Sequence, residues 1–147
     1  MYRRVLVPAD GSARSKKAVN GAIALAKLCN AELVALKVVP RYPQSYFEGG
    51  IALAPAEVKQ VEKTWGDAGQ AVVDAVKKAA AAKGIEAKAV VVRSDVVSDA
   101  ILNAAKKHQC DLVVMASHGR KGIKRLLLGS ETQHVLTHAP IPVLILK

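Results

Sequence analysis

The 147-residue sequence contains little cysteine, few aromatic side chains and no long uninterrupted apolar stretch. Its two cysteines, Cys29 and Cys110, are far apart and outside any Cys-x-x-Cys pattern, so neither a disulfide framework nor a thiolate zinc site is indicated. No apolar run approaches the length that spans a bilayer, and the N-terminal stretch turns polar at Asp10, too early for a signal-peptide core. We therefore expect a cytoplasmic protein that has no membrane partner.

Positive charge is in excess, since 22 Lys and Arg residues against 12 Asp and Glu residues give a formal net charge of +10. Clustered cations bind phosphate chains, which raises the question of nucleic acid. The lysines, however, mostly come in pairs typical of solvated helix faces, such as Lys16-Lys17, Lys77-Lys78 and Lys106-Lys107. No aromatic residues are interleaved with them, so nucleic acid is not the expected partner.

Five short apolar runs, rich in valine, alternate with amphipathic segments. Such runs predict strands buried on both faces, and the alternation predicts one α/β domain over residues 1–147, an open five-stranded parallel sheet with helices on both faces. The predicted strands are Val5–Val7, Leu33–Val39, Ala89–Val92, Leu112–Ala116 and Val143–Leu146. The predicted helices are Ser12–Cys29, about Ala56–Lys83, a segment after Ser94-Asp95 and a short one from Ser130 to before Pro140. Residues 41–55, between the second strand and the longest helix, predict a long mobile loop.

The last predicted strand has proline on its N-terminal side, at Pro140 and Pro142. Because proline cannot donate to a strand ladder, this strand is expected at an edge of the sheet. An exposed apolar edge strand favours pairing with another chain, so we expect a homodimer contact along Val143, Leu144 and Ile145.

Polar loops with glycine follow the first and fourth predicted strands, at the edge where open α/β sheets bind ligands. Asp10 is an acceptor placed where ribose hydroxyls would lie, although Asp10 and Ser12 are equally suited to capping the next helix. Gly119 and Gly129 either form a tight loop or let the backbone approach a ligand closely. Ser130 begins a helix whose free amides attract anions, which favours a phosphate site in this loop.

The motif Ser117-His118-Gly119, nine residues, Gly129-Ser130, followed by residues 141–145, resembles the C-terminal signature of universal stress proteins. Residues 5–12 are similar to the first strand and acidic loop of that family, and residues 36–38 to the end of its second strand. This resemblance covers the whole chain. It implies an adenine nucleotide alpha hydrolase-like fold with strand order 3-2-1-4-5 and homodimers paired through the last strand. It also implies a site between strands one and four for ATP, with or without Mg.

By position, the resemblance implies that Asp10 holds the ribose and that Ala9 and Val38 contact the adenine. It implies that Gly119, Gly129 and Ser130 bind the triphosphate, together with the backbone amides near the start of the last helix. The expected nucleotide-binding residues are Pro8, Ala9, Asp10, Val38, Met115, Ala116, His118, Gly119, Arg120, Gly129, Ser130, Glu131 and Thr132. Ala116 stands where the family pattern has its first glycine, and Glu131 adds a carboxylate to the site.

Catalysis has little support in the sequence. Neither Gly-x-x-x-x-Gly-Lys-Ser/Thr nor Gly-x-Gly-x-x-Gly occurs, and no nucleophile has a recognisable local signature, so at most slow or partner-dependent ATP hydrolysis is expected. His134 and His138 are four apart on one helix, but no third ligand is evident, and no metal site is predicted.

We therefore expect a stress-response regulatory protein that binds ATP and presents a surface to a protein partner. Two alternatives stay open. The first is a nucleotide-independent dimeric interaction protein of the same fold, which Ala116 and Glu131 motivate. The second is an enzyme that acts on adenylates.

Overall fold

The computed structural model describes residues 1–43, 53–118 and 128–147. Within these ranges, strands and helices alternate along the chain and begin and end within two residues of the predicted positions. Residues 44–52 of the predicted long loop lie outside the described residues. The elements are β1 (Arg4–Pro8), α1 (Ala13–Cys29), β2 (Glu32–Val39), α2 (Pro55–Ala82), β3 (Ala87–Arg93), α3 (Val97–Lys107), β4 (Leu112–Ala116), α4 (Ser130–His138) and β5 (Val143–Leu146).

The described strands form a five-stranded parallel sheet in the order β3-β2-β1-β4-β5. This order confirms the prediction 3-2-1-4-5. In the middle of the sheet, Val5 of β1 lies opposite Leu33 of β2 on one side and Leu112 of β4 on the other. β5 lies at an edge, as the prolines before it predict.

Alternate residues of the inner strands point to opposite faces of the sheet, so the fold has two cores. One contains Val5 and Val7 of β1 and is covered by α1 and α2. The other contains Leu6 of β1 and is covered by α3 and α4. Each fully buried Val or Leu contributes about 1.5–3 kcal/mol from apolar burial, which is the main stabilisation of this fold.

The helix ends follow local rules that are visible in the sequence. Ser12 caps α1, where its Oγ accepts a hydrogen bond from the Ser15 N–H at 3.1 Å. Gly84 follows α2 with φ of +77°, a left-handed conformation that glycine adopts without strain. No helix in the described part of the chain is both long enough and apolar enough to cross a membrane.

Substitution of two glycines of α2 by alanine is expected to change the free energy of unfolding in opposite directions. A Cβ at Gly69 would lie 2.7 Å from Val39 Cγ1 and 3.2 Å from Lys37 Cγ, because the helix approaches β2 closely there. We expect Gly69→Ala to lower the free energy of unfolding by about 1–3 kcal/mol through overpacking. A Cβ at Gly66 would meet nothing closer than Arg93 Nη2 at 3.5 Å, so Gly66→Ala should raise it by up to about 1 kcal/mol. Urea unfolding of both variants tests the pair, and equal effects would contradict the observed packing of α2.

Candidate functional site

The loops that follow β1 and β4 start side by side at the carboxyl edge of the sheet. The two strands are parallel neighbours, and the chain winds outward from them in opposite directions. The loop after β1 leads to α1 on one face, whereas α4 packs through Val135 on the other. Open α/β sheets bind ligands at such a reversal, so the region between the starts of the two loops, here called the crevice, is the candidate site.

Asp10 is held in this crevice by the start of α1. Its Oδ1 accepts a hydrogen bond from the Ser12 N–H at 2.8 Å, and its own N–H donates to Ser15 Oγ at 3.0 Å. Between them, Gly11 has φ of +82°, which makes the tight turn possible. Within the described residues, Oδ2 of Asp10 makes no hydrogen bond. The capping role is therefore realised, and it leaves one carboxylate oxygen as an acceptor.

The other residues predicted around the base and ribose differ in how deeply they are buried. Pro8 and Val38 are half-buried near the carboxyl ends of β1 and β2, while Ala9 is buried and donates its N–H to Leu36 O at 2.8 Å. Met115 is only 6% exposed and packs in the core beneath α3 and α4. Its side chain belongs to that core, so only its main chain lies near the edge of the sheet.

The N-terminus of α4 is docked directly onto the end of β4. The Gly129 N–H donates to Ser117 O at 2.9 Å, and a Cβ at Gly129 would lie 3.5 Å from both Ser117 O and His118 Cα. The first bond of the helix runs from the Gln133 N–H to Gly129 O at 2.9 Å. Gly129 has no side chain to cap the amides of Ser130 and the two residues after it. Within the described residues these amides donate to no acceptor, and free amides at the start of a helix attract anions.

Thr132 fixes this helix start to the strand. It is 3% exposed, and its Oγ1 donates to Ala116 O at 3.1 Å. Ala116, half-buried, also pairs with Leu146 of β5. The side chain of Thr132 is thus used inside the protein, and its backbone amide is what it can offer to a ligand.

Glu131 has a partner that the sequence did not reveal. Its Oε2 accepts a hydrogen bond from the Ser98 N–H in the first turn of α3 at 2.8 Å. Val96, at the N-cap of α3, provides no side-chain hydrogen bond, so Glu131 supplies the missing cap from the neighbouring helix. The contact joins residues 33 positions apart, and no local pattern could have predicted it.

His118 combines one satisfied ring nitrogen with one orphaned one. Nδ1 lies 3.1 Å from Ser117 Oγ, whereas the buried Nε2 has no hydrogen-bond partner in the described part of the chain. A buried unsatisfied polar atom costs about 1–3 kcal/mol, so a ligand atom that bonds to Nε2 would be stabilised there. Gly119 and Arg120, which follow His118, lie outside the described residues, and their phosphate roles stay predictions.

The remaining titratable groups do not assemble into a further reactive centre in residues 1–43, 53–118 and 128–147. Both cysteines are free, and burial raises the pKa of the Cys110 thiol to about 11. The rings of His134 and His138 stack at 4.1 Å, and His134 Nε2 lies 3.5 Å from Asp99 Oδ1. No group of three or more His, Cys, Asp or Glu side chains in these ranges is arranged to hold a metal ion.

A polar latch at the carboxyl ends of β2 and β3, formed by Arg93, Glu62 and residues 40–42, was not predicted from the sequence. The Arg93 guanidinium donates to Glu62 O at 2.9 Å and to Pro40 O at 3.3 Å. The Tyr42 N–H reaches Glu62 Oε2 at 3.3 Å, and the Tyr42 ring stacks on Trp65 with centroids 6.2 Å apart. The latch holds residues 40–42 against α2 at the point where the chain leaves β2. No local motif signals it, because its members come from three separate elements.

Together, the reversed winding and the polar carboxyl edge define a doubly wound α/β protein whose candidate ligand site lies between its middle strands. The model of the universal stress protein family matches residues 1–147. A universal stress protein of Methanocaldococcus jannaschii is 33% identical over 147 residues, which are 100% of this chain and 83% of that protein. Universal stress protein YxiE of Bacillus subtilis is 31% identical over the whole of both chains. The chain belongs to the universal stress protein family.

Solved structures agree with this fold. The universal stress protein UspA from Lactobacillus plantarum superposes with a TM-score of 0.82 at 24% identity, covering 99% of this chain and 98% of that one. A universal stress protein solved in complex with cAMP superposes with a TM-score of 0.73 at 27% identity, covering 99% and 97%. The strand order and the helices on both faces are therefore those of the family.

The bond between Thr132 and Ala116 predicts a stability difference between two threonines of α4. Thr132→Val keeps the shape of the side chain but removes the donor to Ala116 O, so we expect the free energy of unfolding to fall by about 1–2 kcal/mol. Thr137 is exposed and donates to Gln133 O one turn back in the same helix, so Thr137→Val should change it by less than about 0.5 kcal/mol. Thermal and urea unfolding measure both. A Thr132→Val protein as stable as the parent would show that the bond does not anchor α4.

Proposed function

We propose that this protein is a regulatory protein that binds ATP, with or without Mg, in the crevice between β1 and β4. One observation carries the proposal above the others: the uncapped N-terminus of α4 is docked on the end of β4, at the same edge as Asp10. The helix start supplies unpaired amides for phosphates, and Asp10 supplies an oriented carboxylate oxygen for hydroxyls.

In this proposal each residue has a limited role. Asp10 accepts hydrogen bonds from the ribose, while Pro8, Ala9 and Val38 border the adenine. The amides that follow Gly129 bind the phosphates, Ser130 adds its hydroxyl, and His118 Nε2 gains a hydrogen-bond partner. Met115 and Ala116 contribute main-chain atoms, and Gly119 and Arg120 contribute from the adjoining loop.

One of the two sequence features that favoured a closed site is weakened by a contact described above. The carboxylate of Glu131 is engaged by the Ser98 amide, so it is not an unpartnered charge beside the phosphates. The formal net charge of +10 further favours a polyanionic ligand.

The family supports the same class of ligand. A related universal stress protein, 27% identical to this chain, is solved in complex with cAMP. An adenine nucleotide is therefore the class of ligand proposed here, with ATP as the member whose triphosphate uses the whole phosphate loop.

We assign the site a binding role and not a catalytic one. Ser117 Oγ and His118 Nδ1 are within hydrogen-bond distance, but in the described residues no third group orients this pair. ATP would be held through its ribose and phosphates without an activated nucleophile, so hydrolysis would be slow. The nucleotide would then order the surrounding loops and present a surface to a protein partner in the cytoplasm.

Ser130→Glu tests the phosphate site without removing a structural contact. Ser130 is exposed at the first position of α4, where a carboxylate suits the helix dipole but repels phosphate. We expect calorimetric titration of nucleotide-stripped parent protein with Mg-ATP to give micromolar binding, and Ser130→Glu to weaken it by about tenfold or more. Trp65, the single tryptophan, gives an independent fluorescence signal through its contact with Tyr42.

Asn103→Glu, on the exposed part of α3, is the matched control because it changes the charge equally and should leave the affinity unchanged. Equal affinities in the parent and Ser130→Glu would place the ligand elsewhere. If the parent does not bind ATP at concentrations up to about 1 mM, the binding free energy is weaker than about 4 kcal/mol. This result would favour the nucleotide-independent alternative.

The edge position of β5 supports a second role, as a dimer that interacts with other proteins independently of nucleotide. Leu144 is 40% exposed on the unpaired side of the sheet, and Val143 and Ile145 beside it are half-buried. Pairing of two β5 strands would satisfy their free backbone groups and cover these side chains.

Leu144→Glu tests the dimer, since it places like charges at the proposed seam. We expect the parent to sediment as a dimer at micromolar concentration and Leu144→Glu as a monomer. Leu28→Glu, at an 85% exposed leucine of α1, introduces the same charge outside β5 and should remain dimeric. A parent protein that is monomeric at all concentrations would refute the proposed seam.

A further inference from the structure

A second polar cavity lies at the opposite, amino edge of the sheet. Its volume is about 330 Å³, within the range of small-ligand sites. It is built at the amino ends of three adjacent strands, and it is bordered by Lys77 of α2 on one face of the sheet and by His108 at the end of α3 on the other. Its charged and titratable lining consists of Arg4, Glu32, Lys77, Glu86, Lys88 and His108.

The charges of this cavity do not cancel. Arg4 and Glu32 neutralise each other, with Nε and Nη2 of Arg4 each 2.9 Å from Glu32 Oε2. Among the described residues, Lys77 and Lys88 form no salt bridge, and Glu86 is the one further carboxylate in the lining. The cavity therefore has an excess of positive charge with no internal partner.

His108 is fixed in this field by the backbone. It ends α3, and Arg4 Nη1 donates to its carbonyl oxygen at 2.7 Å, so the residue cannot move away from the cavity without breaking that bond. Burial, together with the charges of Lys88, Lys107 and Arg4, lowers the pKa of the His108 imidazole.

The surrounding carboxylates do not offset this field fully. Glu32 is paired with Arg4, Asp111 accepts the N–H groups of Arg3 and Arg4, and Glu86 is the remaining carboxylate of the lining. A bound anion would compensate the remaining positive charge of the lining.

We propose that this cavity is a second ligand site, which binds a small dianion of the phosphate-monoester class between Lys77, Lys88 and His108. The two ammonium groups and the protonated imidazole neutralise the dianion, and Glu86 accepts a hydrogen bond from a hydroxyl of the ligand. The site is separate from the ATP crevice, because the two lie at opposite edges of the sheet.

Proton uptake accompanies binding at this site. A dianion binds the protonated imidazole more tightly than the neutral one, so the bound ligand raises the pKa of His108. Affinity is therefore highest below the lower pKa of His108 in the unliganded protein, and it falls with increasing pH until the raised pKa of the complex is passed. Sulfate is the sharper probe, because it stays doubly charged where a phosphate monoester would itself take up a proton.

The experiment is an NMR titration of the histidine ring protons from acid to alkaline pH, in sodium sulfate and in sodium chloride at equal ionic strength. We expect the pKa of His108 to be higher in sulfate by about half a unit or more. Glycerol 2-phosphate, which adds hydroxyls for Glu86, should bind more tightly than sulfate.

Lys88→Met should abolish the sulfate-dependent difference, while Lys106→Met, which removes an exposed charge outside the lining, should preserve it. Equal pKa values of His108 in the two salts, or an undiminished difference in Lys88→Met, would overturn the proposal. Ser130→Glu should retain the sulfate effect and Lys88→Met should retain ATP binding, so the failure of one site is distinguishable from the failure of the other.

Discussion

The rest of the structure depends on the burial of the middle strands, β1 and β4, on both of their faces. Val5, Leu6 and Val7 expose none of their surface, and neither do Val113 and Val114. Strands buried in this way need a neighbour on each side and a helix layer above and below. The chain meets both needs by winding from β1 to β2 and β3, and then from β4 to β5 on the other side. The loops after β1 and β4 must then diverge to opposite layers, and the crevice between them is a consequence of that divergence.

Two helices begin at this crevice, and they differ in how their first amides are satisfied. α1 is closed by its own residues, since Ser12 and Asp10 accept from the amides of its entry turn. α4 begins at Gly129, which has no side chain to offer, and its side-chain contacts run elsewhere: Thr132 to β4 and Glu131 to α3. Within the described residues, the electropositive end of α4 thus has no acceptor, and it lies at the same edge of the sheet as the Asp10 carboxylate, which the start of α1 holds in place. Phosphates at one and hydroxyls at the other are the groups that this asymmetry suits.

Most of the fold could be predicted because its determinants are local. Valine-rich runs predict strands that are buried on both faces. Ser12, Gly84 and Pro140 mark helix ends within a residue or two. The part that could not be predicted depends on contacts between distant residues. Met115 adjoins the site in sequence, but the two-residue period of β4 turns its side chain into the core. Likewise, the sequence places the carboxylate of Glu131 near the phosphate site because Glu131 is in the first turn of α4. Its actual hydrogen-bond partner depends on how α3 packs against α4.

The length of β1 determines how strongly the two edges of the sheet can influence each other. Arg4 begins this strand and Asp10 follows its end, so the two proposed sites are separated by about 20 Å at the rise of an extended strand. Unit charges at that separation interact by about 0.2–0.8 kcal/mol for effective dielectric constants between those of water and the protein surface. Because the Debye length is about 8 Å at physiological ionic strength, salt screens most of this interaction, and a dianion at one edge has little electrostatic effect on the affinity at the other. Stronger coupling would require β1 to shift, and its buried side chains resist that because both cores are packed against it.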